Sequence, residues 1–431
     1  MPEPVTTTSQ LHSVGGVRDA LRGLTLRGRA FVAAGVTAIL CAILLGQSAL
    51  TRVGVLVLVL PLVAALVIGR GRTQITVSRS VAPRLVTAGQ PARVDLTIVN
   101  DGRRPTGALL AEDLVPYALG TRSRFVLRGL SRHWERKVSY QVRSDVRGAF
   151  EIGPLALRVA DPFGLVELRR TFPGTSNLVV TPRTVALPRI PLGGGWSGTG
   201  EHRPQAFAAG SAEDVSVREY RRGDELRRVH WRSSARVGEL MVRREEQPWE
   251  ARATVLLDDR LRVHRGQGLA SSFEAAVSVA ASILTHLELA GYSVRLVTSA
   301  GSPPDDTDNA VAELERLALI TPTQRPLLDV GWCGEQARGG LVVAVLGSTE
   351  PTDVPALRRI RHDASSALAI VIDVEQWTTR TPAADLPAAA AAVSLLGWRA
   401  VPVGPRDRLD RAWQDLGRAA ERAAAGKAAI R

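Results

Sequence analysis

At 431 residues the chain exceeds what a single hydrophobic core usually supports, so we expect two soluble domains together with a further segment. Its formal net charge is +13, yet residues 201–250 hold ten basic and ten acidic side chains. A nucleic-acid groove needs unpaired basic side chains, so this balance argues against nucleic acid as a partner of the central region. Cys41 and Cys333 lie far apart in the sequence, which argues against a disulfide framework and a cysteine metal cluster.

The N-terminal region combines a polar start with two apolar runs. Residues 1–29 are polar and are predicted to be disordered, whereas residues 31–50 and 53–69 carry no charged side chain. A helix of about 20 residues is about 30 Å long, which matches the hydrocarbon layer of a bilayer. Residues 30–70 are therefore predicted to form a tight hairpin of two transmembrane helices. A pair of buried core helices is the alternative.

The basic residues around the two runs predict their orientation. Arg29 precedes the first run, Arg70 and Arg72 follow the second, and Arg52 is the single basic residue between them. The positive-inside rule then predicts a multi-pass protein of the cell membrane, with both termini and the soluble domains in the cytoplasm. Residues 73–200 hold eighteen basic and nine acidic side chains, and this excess beside the anchor suits anionic headgroups.

Residues 73–172 change to short segments of alternating hydrophobicity, which predict strands. The predicted strands are 75–81, 92–100, 123–130, 136–144, 148–160 and 165–172. Because no helical pattern separates them, we predict an all-β antiparallel sandwich that is Ig-like in outline. The segment from Asp161 to Leu165 is predicted to be a structural turn, since Asp and Gly are typical turn residues.

Residues 173–209 are rich in proline and glycine and are predicted to be a linker. The following segment, residues 210–250, is the densest mixture of Arg, acidic, His and Trp side chains in the chain. We predict a short strand at 215–220, a helix from Asp224 to about Arg232, an irregular stretch to Gly238 and a second strand at 239–243.

We interpret this central segment as a network of Arg–carboxylate pairs at a junction or at a surface for a partner, because guanidinium groups match carboxylates bidentately. The residues predicted to form this interaction motif are Arg218, Tyr220, Gly223, Asp224, Arg228, His230, Trp231, Ala235, Arg236, Gly238, Val242 and Arg243.

His230 leaves two other interpretations open. With Asp224 or Glu213 to orient it and Ser233 or Ser234 as a nucleophile, it has the residue types of a catalytic base. A ligand-binding site is the other possibility. Sequence proximity does not establish either geometry, so no catalytic residue is assigned.

Residues 251–431 alternate between strand and helix patterns, which predicts a parallel sheet covered on both faces. Strands are predicted at 253–258, 293–298, 341–346, 367–373 and 400–403. Helices are predicted at 272–290, 310–319, 354–361, 386–396 and from Arg408 onward. Ser271 and Glu274 form a capping-box pattern at the first of these helices. Ligands of such sheets bind at the carboxyl ends of the strands.

Two segments of the chain resemble the family called domain of unknown function 58. They are DVSVREYRRGDELRRVHWRSSARVGELMVR and, upstream of it, RGAFEIGPLALRVADPFGL. The resemblance covers the chain from Phe31 onward. It implies a C-terminal domain similar to a von Willebrand factor A domain, with a Rossmann-type parallel sheet. It also implies partners, namely a MoxR-type AAA+ ATPase and a transglutaminase-like membrane protein.

Metal sites in A domains begin with the pattern D-x-S-x-S, whose oxygen ligands suit Mg²⁺. Asp258 matches the first position here, but Arg260 and Arg262 stand at the serine positions, and a guanidinium cannot ligate a cation. Residues 347–349 supply no carboxylate after the third strand. The site at Asp258 is therefore expected to be degenerate, with no metal and no cofactor.

These observations favour a membrane-anchored interaction or assembly protein that is not an enzyme and does not bind nucleic acid. An enzyme or ligand-binding protein that uses the His230 motif is the alternative. Lipid or nucleic-acid binding through the basic residues 73–200 is a third, and it would weaken steeply with salt.

Overall fold

The computed structural model describes residues 5–11, 17–69, 75–100, 109–128, 133–161, 163–192, 217–220, 229, 231–243, 252–301, 309–333, 340–377 and 388–428. The chain divides into two compact units. The first contains Met1–Thr184 and Val311–Thr321, and the second contains Val185–Ala310 and Pro322–Arg431.

The first unit begins with helices and continues as strands. Its elements are β1 (Val5–Leu11), α1 (Val17–Arg22), α2 (Leu26–Leu45), α3 (Ser48–Gly69), β2 (Ile75–Ala82), β3 (Leu85–Thr87), β4 (Pro91–Asn100), β5 (Leu109–Asp113), β6 (Ser123–Leu127), β7 (Trp134–Arg143), β8 (Gly148–Ile152), β9 (Leu155–Ala160), β10 (Glu167–Phe172) and β11 (Ser176–Thr181).

Helices α2 and α3 form a hairpin, and both are long and apolar enough to cross a membrane. Gly46 ends α2 in the left-handed conformation, at a φ of 66°. The two helices approach closely at glycines, since a Cβ added at Gly35 would lie 2.8 Å from the Leu58 nitrogen, and one at Gly54 would lie 2.8 Å from the Ile39 side chain. Small residues of this kind let apolar helices pack through their backbones.

The region before the hairpin differs from the prediction of disorder for residues 1–29. Strand β1 pairs antiparallel with β2 along its whole length, from Val5 opposite Val81 to Leu11 opposite Ile75, and α1 follows it. The sequence of β1 is VTTTSQL, whose β-branched residues favour an extended backbone even though most of them are polar. Polarity alone therefore led to the wrong expectation.

The strands of this unit form three sheets, with the orders β1-β2-β4-β7, β10-β9-β5-β6 and β3-β11-β8. The pairs within them are antiparallel except for β3 and β11, which are parallel. One core joins the first and second sheets, and it includes Leu96 of β4 and Leu157 of β9. Another joins the first and third sheets through residues such as Val94 and Val180. The β-rich region is thus a layered sandwich.

An ion pair lies inside this sandwich. The Arg79 guanidinium donates to both carboxylate oxygens of Asp113, at 2.6 and 3.3 Å, and to the Gly174 carbonyl at 2.6 Å. The Tyr140 hydroxyl also donates to Asp113, at 2.6 Å. Burial, followed by the neighbouring Asp113 charge, raises the pKa of Tyr140 well above its usual value. The network fixes β2, β5 and β7 relative to one another.

Part of the predicted linker 173–209 is structured. Strand β11 lies within it and pairs with β8, with Ser176 opposite Ile152. Its residues Leu178 and Val180 are buried in the sandwich core. The sequence analysis missed this strand because the flanking prolines and glycines have the composition of a linker.

The second unit contains the central segment and an α/β domain. In chain order, the elements continue as β12 (Val217–Glu219), α4 (Trp231–Val237), β13 (Met241–Arg243), β14 (Arg252–Leu257), α5 (Ser272–Leu289), β15 (Ser293–Thr298), α6 (Ala310–Leu319), β16 (Leu341–Leu346), α7 (Val354–Asp363), β17 (Ser366–Ile372), α8 (Ala388–Leu395), β18 (Arg399–Val403) and α9 (Leu409–Ala428). All of α6 except Ala310 groups with the first unit.

The α/β domain has one five-stranded parallel sheet with the order β15-β14-β16-β17-β18. Every residue of β16 and β17 is buried, as expected for a parallel sheet covered on both faces. Helix α5 begins after Ser271, whose hydroxyl accepts the Glu274 amide, as the capping pattern predicts. Counted along this domain, the strand order is 2-1-3-4-5, a doubly wound arrangement whose switch point lies between β14 and β16.

Residues 185–192, also from the predicted linker, pack against this domain. The Val185 amide donates to the Ser282 hydroxyl at 3.0 Å, and the Trp413 indole donates to the Pro188 carbonyl at 3.1 Å. A Cβ added at Gly417 would lie 2.9 Å from Ile190, so α9 needs a glycine where this segment crosses it.

Candidate functional site

Within the central interaction motif, the described residues form a small strand–helix–strand unit. Strands β12 and β13 pair antiparallel, with Arg218 opposite Val242, and the Tyr220 amide donates to the Leu240 carbonyl at 2.8 Å. Helix α4 lies between them in the sequence. The Met241 amide donates to the Ser234 hydroxyl at 2.8 Å, which ties the helix to the second strand.

The helix differs in position from the prediction. We expected a helix from Asp224 to about Arg232 followed by an irregular stretch, whereas α4 begins at Trp231 and continues to Val237. Gly238 then ends it at a φ of 82°, and its amide donates to the Ser234 carbonyl at 2.9 Å. Because glycine adopts this conformation without strain, Gly238 ends the helix, whereas we expected it to end an irregular stretch.

The predicted motif residues fall into three groups. Trp231, Ala235 and Arg236 are exposed on α4, and 70% of Trp231 is accessible. Arg218, Val242 and Arg243 belong to the strand pair, with Tyr220 and Gly238 at its ends. Gly223, Asp224, Arg228 and His230 lie outside the described residues. The catalytic and ligand-binding interpretations of His230 therefore stay hypotheses.

The carboxyl edge of the parallel sheet holds a second polar cluster, at the switch point. Asp258 directly follows β14, and its carboxylate accepts two bonds from the Arg260 guanidinium, from Nε at 2.8 Å and from Nη2 at 2.7 Å. The same guanidinium donates to Asp353 through Nη1 at 2.6 Å and Nη2 at 3.1 Å. All three side chains are about 1% exposed.

The electrostatics of this cluster favour a permanently charged Arg260. Burial on its own lowers the pKa of a guanidinium, but the hydrogen bonds to Asp258 and Asp353 and their negative charges raise the pKa of Arg260 above its ordinary value. Arg262, about one-third exposed, adds a second positive charge, with Nη1 at 3.2 Å from Glu350. The cluster is a closed network of alternating charges.

Asp353 was missed in the sequence analysis, which found no carboxylate after the third strand of the domain. It lies four residues beyond the segment we considered, in a short helical turn before α7, where its carboxylate accepts the Glu350 amide at 3.1 Å. The capping pattern from Glu350 to Asp353 was a readable signal for a helix start. The pairing of Asp353 with Arg260 could not be predicted from the sequence, because the two residues are 93 positions apart.

His264 is a buried histidine beside this cluster that the sequence analysis also passed over. Its Nε2 lies 2.7 Å from the Asp258 carbonyl, which can only accept, so this nitrogen carries the proton. Its Nδ1 lies 3.3 Å from the Ser272 hydroxyl. Burial lowers the pKa of His264, and the bond to the Asp258 carbonyl opposes this only in part. The imidazole is a neutral structural link between the β14 loop and α5.

Other acids of this edge stabilise loops in the same way. The Asp259 carboxylate accepts the Ser299 amide at 2.9 Å, and the Asp259 carbonyl accepts the Thr323 amide at 2.7 Å. Asp373, after β17, accepts the Gln376 side chain at 2.6 Å. The polar groups at the ends of these strands therefore hold the connecting loops.

The residues present do not fit a metal ion at Asp258. The guanidinium of Arg260 lies where a cation would contact this carboxylate, and it already satisfies both of its oxygens. Within the described ranges, no group of three or more His, Cys, Asp or Glu side chains is arranged to hold a metal. Chemically, Asp258, Arg260 and Asp353 form a buried ion-pair network that joins two loops, rather than a binding pocket. We call this network the brace.

Three solved structures similar to this chain each cover about a quarter of it. A CARDB domain from Pyrococcus furiosus, crystallised with two metal ions, is 16% identical, covers 25% of this chain and 93% of its own, and has a TM-score of 0.19. A β-glucosidase from Listeria innocua is 10% identical over 26% of this chain and 16% of its own, at a TM-score of 0.17.

A Niemann-Pick type C2 protein from the Japanese carpenter ant is 7% identical over 22% of this chain and 78% of its own, with a TM-score of 0.14. Similarities of this size carry no argument about function. No curated protein matches the chain.

A family model gives the informative match. It covers residues 216–329, which include the strand–helix–strand unit, β14 with the Asp258–Arg260 pair, and α5. The motif resemblance that the sequence indicated is thus confirmed over this segment. Residues 216–329 of the chain match the family described as protein of unknown function DUF58.

Proposed function

We propose that this protein is a membrane-anchored interaction or assembly factor, without catalytic activity of its own, that works with a MoxR-type AAA+ ATPase. One observation carries the proposal. The switch point of a doubly wound sheet is where such folds bind small ligands, and here the Arg260 guanidinium fills it between Asp258 and Asp353. A domain whose usual ligand crevice is closed by its own side chains suits protein contacts better than turnover.

The finer architecture belongs to the same proposal. The sandwich of the first unit is Ig-like in outline, supported by two sheets that share one core. The α/β domain is von Willebrand factor A-like with a degenerate metal site, supported by Asp258 directly after the first strand of a parallel sheet. In this interpretation the fold is kept for recognition while the ion is replaced by an internal cation.

The membrane topology is also proposed. Helices α2 and α3 span the bilayer as a hairpin, and both ends of the hairpin lie on its cytoplasmic side. The pairing of β1 with β2 supports this, because a strand before α2 and a strand after α3 can pair only on one side of the membrane. The cytoplasmic assignment follows from the positive-inside rule, because Arg29, Arg70 and Arg72 at the outer ends of the two runs outnumber Arg52 between them.

The docking surface for the ATPase is the exposed face of α4. It carries Trp231, Arg232 and Arg236, of which the arginines are four residues apart and therefore neighbours on the helix. An exposed tryptophan beside arginines is the composition of a binding hot spot. A transglutaminase-like membrane protein is a second proposed partner.

The test is an affinity purification of the tagged full-length protein from native membranes, read by mass spectrometry. Wild type is compared with Trp231→Ala/Arg236→Ala and with a control pair on other exposed helix positions, Leu289→Ala/Arg411→Ala. We expect an AAA+ ATPase to be recovered with wild type and the control. Its recovery should fall at least tenfold in the α4 variant.

Two results would contradict the proposal in different ways. Undiminished recovery of the ATPase with the α4 variant would remove α4 as the docking surface. A wild-type purification that recovers no AAA+ ATPase would remove the partnership and favour the ligand-binding or catalytic interpretation of His230.

A further inference from the structure

The turn between β9 and β10 is fixed by hydrogen bonds among its own residues. The Asp161 carboxylate accepts the amides of Phe163 at 2.9 Å and Val166 at 2.6 Å. The Gly164 amide donates to the Asp161 carbonyl at 3.0 Å, and Gly164 has a φ of 67°. We name Asp161 and residues 163–166 the Asp161 turn. Phe163 lies at the surface of this turn, with 63% of the residue accessible.

This turn is bound to the start of the apolar hairpin. The Thr25 hydroxyl donates to the Gly164 carbonyl at 2.7 Å, and the Thr25 amide donates to the Leu165 carbonyl at 3.0 Å. A Cβ added at Gly28 would lie 2.2 Å from the Leu165 oxygen, so α2 needs a glycine there. The turn and the first turn of α2 are in direct backbone contact.

The apolar side chains of the turn reach the level of the hydrophobic run. Leu165 and Val166 are almost fully buried and form one cluster with Ala20 and Ala65, against which Ile68 packs. Ala65 and Ile68 belong to the charge-free run 53–69. Along α2, Gly28 is three residues before the first charge-free run, about 4.5 Å at 1.5 Å per residue. The interfacial layer of a bilayer is roughly 5–8 Å thick on each side.

From this position we infer that the Asp161 turn is a second membrane contact, and that the Phe163 ring enters the interfacial layer of the bilayer beside the hairpin. The inference rests on the proposed membrane anchoring. A single exposed apolar side chain is ordinary on a protein surface. The depth of this one, fixed by the contacts of Gly164 and Leu165 with Thr25, is what assigns lipid as its partner.

The charges around the ring fit the same partner. Arg27 lies beside the turn, since a Cβ added at Gly164 would be 4.0 Å from its guanidinium. Arg22, Arg27 and Arg29 are all exposed. Guanidinium groups at this depth bind lipid phosphates while an aromatic ring occupies the boundary with the acyl chains. The β-sandwich is thereby held at a fixed tilt to the membrane plane.

The experiment uses the full chain in lipid nanodiscs of mixed phosphatidylglycerol and phosphatidylcholine. The photoreactive residue p-benzoylphenylalanine replaces Phe163, and lipid adducts are counted by mass spectrometry after irradiation. Leu40, 56% exposed in α2, is the positive control. Tyr117, 98% exposed, is the negative control.

Tyr117 is matched to Phe163 as an exposed aromatic side chain at the opposite end of the same sheet. It follows Asp113, which pairs with Leu155 at the start of β9, whereas the Asp161 turn follows the end of β9. We expect abundant lipid adducts at positions 40 and 163, and at least tenfold fewer at position 117.

The outcomes separate the inference from the anchoring on which it rests. Adducts at position 40 without adducts at position 163 would overturn the inference and leave the anchor in place. Equal labelling at 163 and 117 would also overturn it, because the contact would not be specific to the turn. If position 40 gives no adducts, the membrane hairpin itself is wrong, and the turn loses its proposed partner with it.

Discussion

The guanidinium of Arg260 lies 2.6 Å from the carboxylate of Asp353, a residue 93 positions away in the sequence. The same guanidinium holds Asp258, so a single cation joins the loop after β14 to the turn before α7. Two buried carboxylates at one point repel each other unless a positive charge lies between them. Arg260 therefore does for these loops what a divalent metal does in sites with two facing carboxylates.

Replacing Arg260 should destabilise the α/β domain strongly. Arg260→Met keeps the length and apolar stem of the side chain but leaves Asp258 and Asp353 buried without a counter-charge. Removing one partner of a buried ion pair costs about 3–5 kcal/mol. We expect a loss of this size in the unfolding of the full-length protein in detergent, followed by tryptophan fluorescence. Arg262→Met is the control, since Arg262 is about one-third exposed, and it should cost under about 1 kcal/mol. Equal losses in the two variants would contradict the proposed brace.

Two serines should turn the brace into a metal site. In Arg260→Ser/Arg262→Ser, the carboxylates of Asp258 and Asp353 and two hydroxyls supply the oxygen ligands that Mg²⁺ takes. We expect this variant to melt below wild type in a chelator and to recover on addition of Mg²⁺. At a concentration a hundred times the dissociation constant the gain is about 2.7 kcal/mol. Thermal unfolding with and without Mg²⁺ measures it.

The matched control for this prediction is Arg260→Ala/Arg262→Ala, which removes the same charges without adding hydroxyl ligands. Its melting temperature should respond less to Mg²⁺ than that of the serine pair. A serine variant that is indifferent to Mg²⁺ would show that Asp258 and Asp353 do not converge as the hydrogen bonds of Arg260 require.

The sequence predicted the α/β domain well because its signals are local. Strands β15 and β16 and helix α6 have the predicted bounds, and Ser271 caps α5 as expected. Each of these elements has a clear hydrophobic period and a turn or capping residue at its ends, which are properties of neighbouring residues. Tertiary contacts did not change the secondary structure that these local signals predict.

The β-sandwich was harder because two of its strands lack such signals. β5 reads LLAED, without alternation, and its Asp113 is buried only because Arg79 from another strand neutralises it. β11 is hidden between prolines and glycines. In both cases the residues that stabilise the strand are distant in sequence, so a local pattern could not predict the strand.

The candidate site shows the same limit. The sequence identified Asp258 and the replacement of serine by Arg260, but not the buried position of that guanidinium or the convergence of Asp353 with it. Both depend on the register of the sheet and on the course of a loop. The exposure of Trp231 and Arg236 was likewise a property of the fold that composition left open.

Acid should destabilise the second unit through the buried His264 and the half-buried His286. Burial lowers the pKa of His264 and, beside Trp413, that of His286. A histidine whose pKa is lower in the folded than in the unfolded chain binds fewer protons when folded, so stability is complete above the unfolded pKa of about 6.5 and falls as the pH drops below it. We expect the melting temperature of the full-length protein to fall between pH 7 and pH 5.

The substitution His264→Gln tests this assignment. It lowers stability at neutral pH by removing part of the bond to the Asp258 carbonyl, but it also removes one titrating group, so the fall toward pH 5 becomes smaller. His362→Gln, at an exposed position of α7, is the control and should retain the full fall. An unchanged pH dependence in His264→Gln would exclude this histidine as a source of the acid sensitivity.

Tight contact between α2 and the Asp161 turn should be sensitive to a single methyl group. In Gly28→Ala the new Cβ would lie 2.2 Å from the Leu165 carbonyl oxygen, which is far closer than van der Waals contact allows, and the neighbouring atoms are backbone. The turn must therefore move away, which breaks the bond of 2.8 Å from the Glu167 amide to the Gly23 carbonyl. We expect hydrogen exchange at Glu167 to accelerate at least tenfold, about 1.4 kcal/mol of local stability.

Hydrogen exchange with mass spectrometry on the full chain in nanodiscs measures this change in the peptide that covers residues 163–172. Ala30→Val adds bulk to an exposed position of the same helix and should leave that peptide unchanged. Thr25→Val, which removes the hydroxyl that donates to the Gly164 carbonyl, should give an effect of the same direction but smaller, because the backbone bond of Thr25 to Leu165 is retained. Protection that is equal in Gly28→Ala and wild type would mean that the sandwich and the hairpin are not joined at this point.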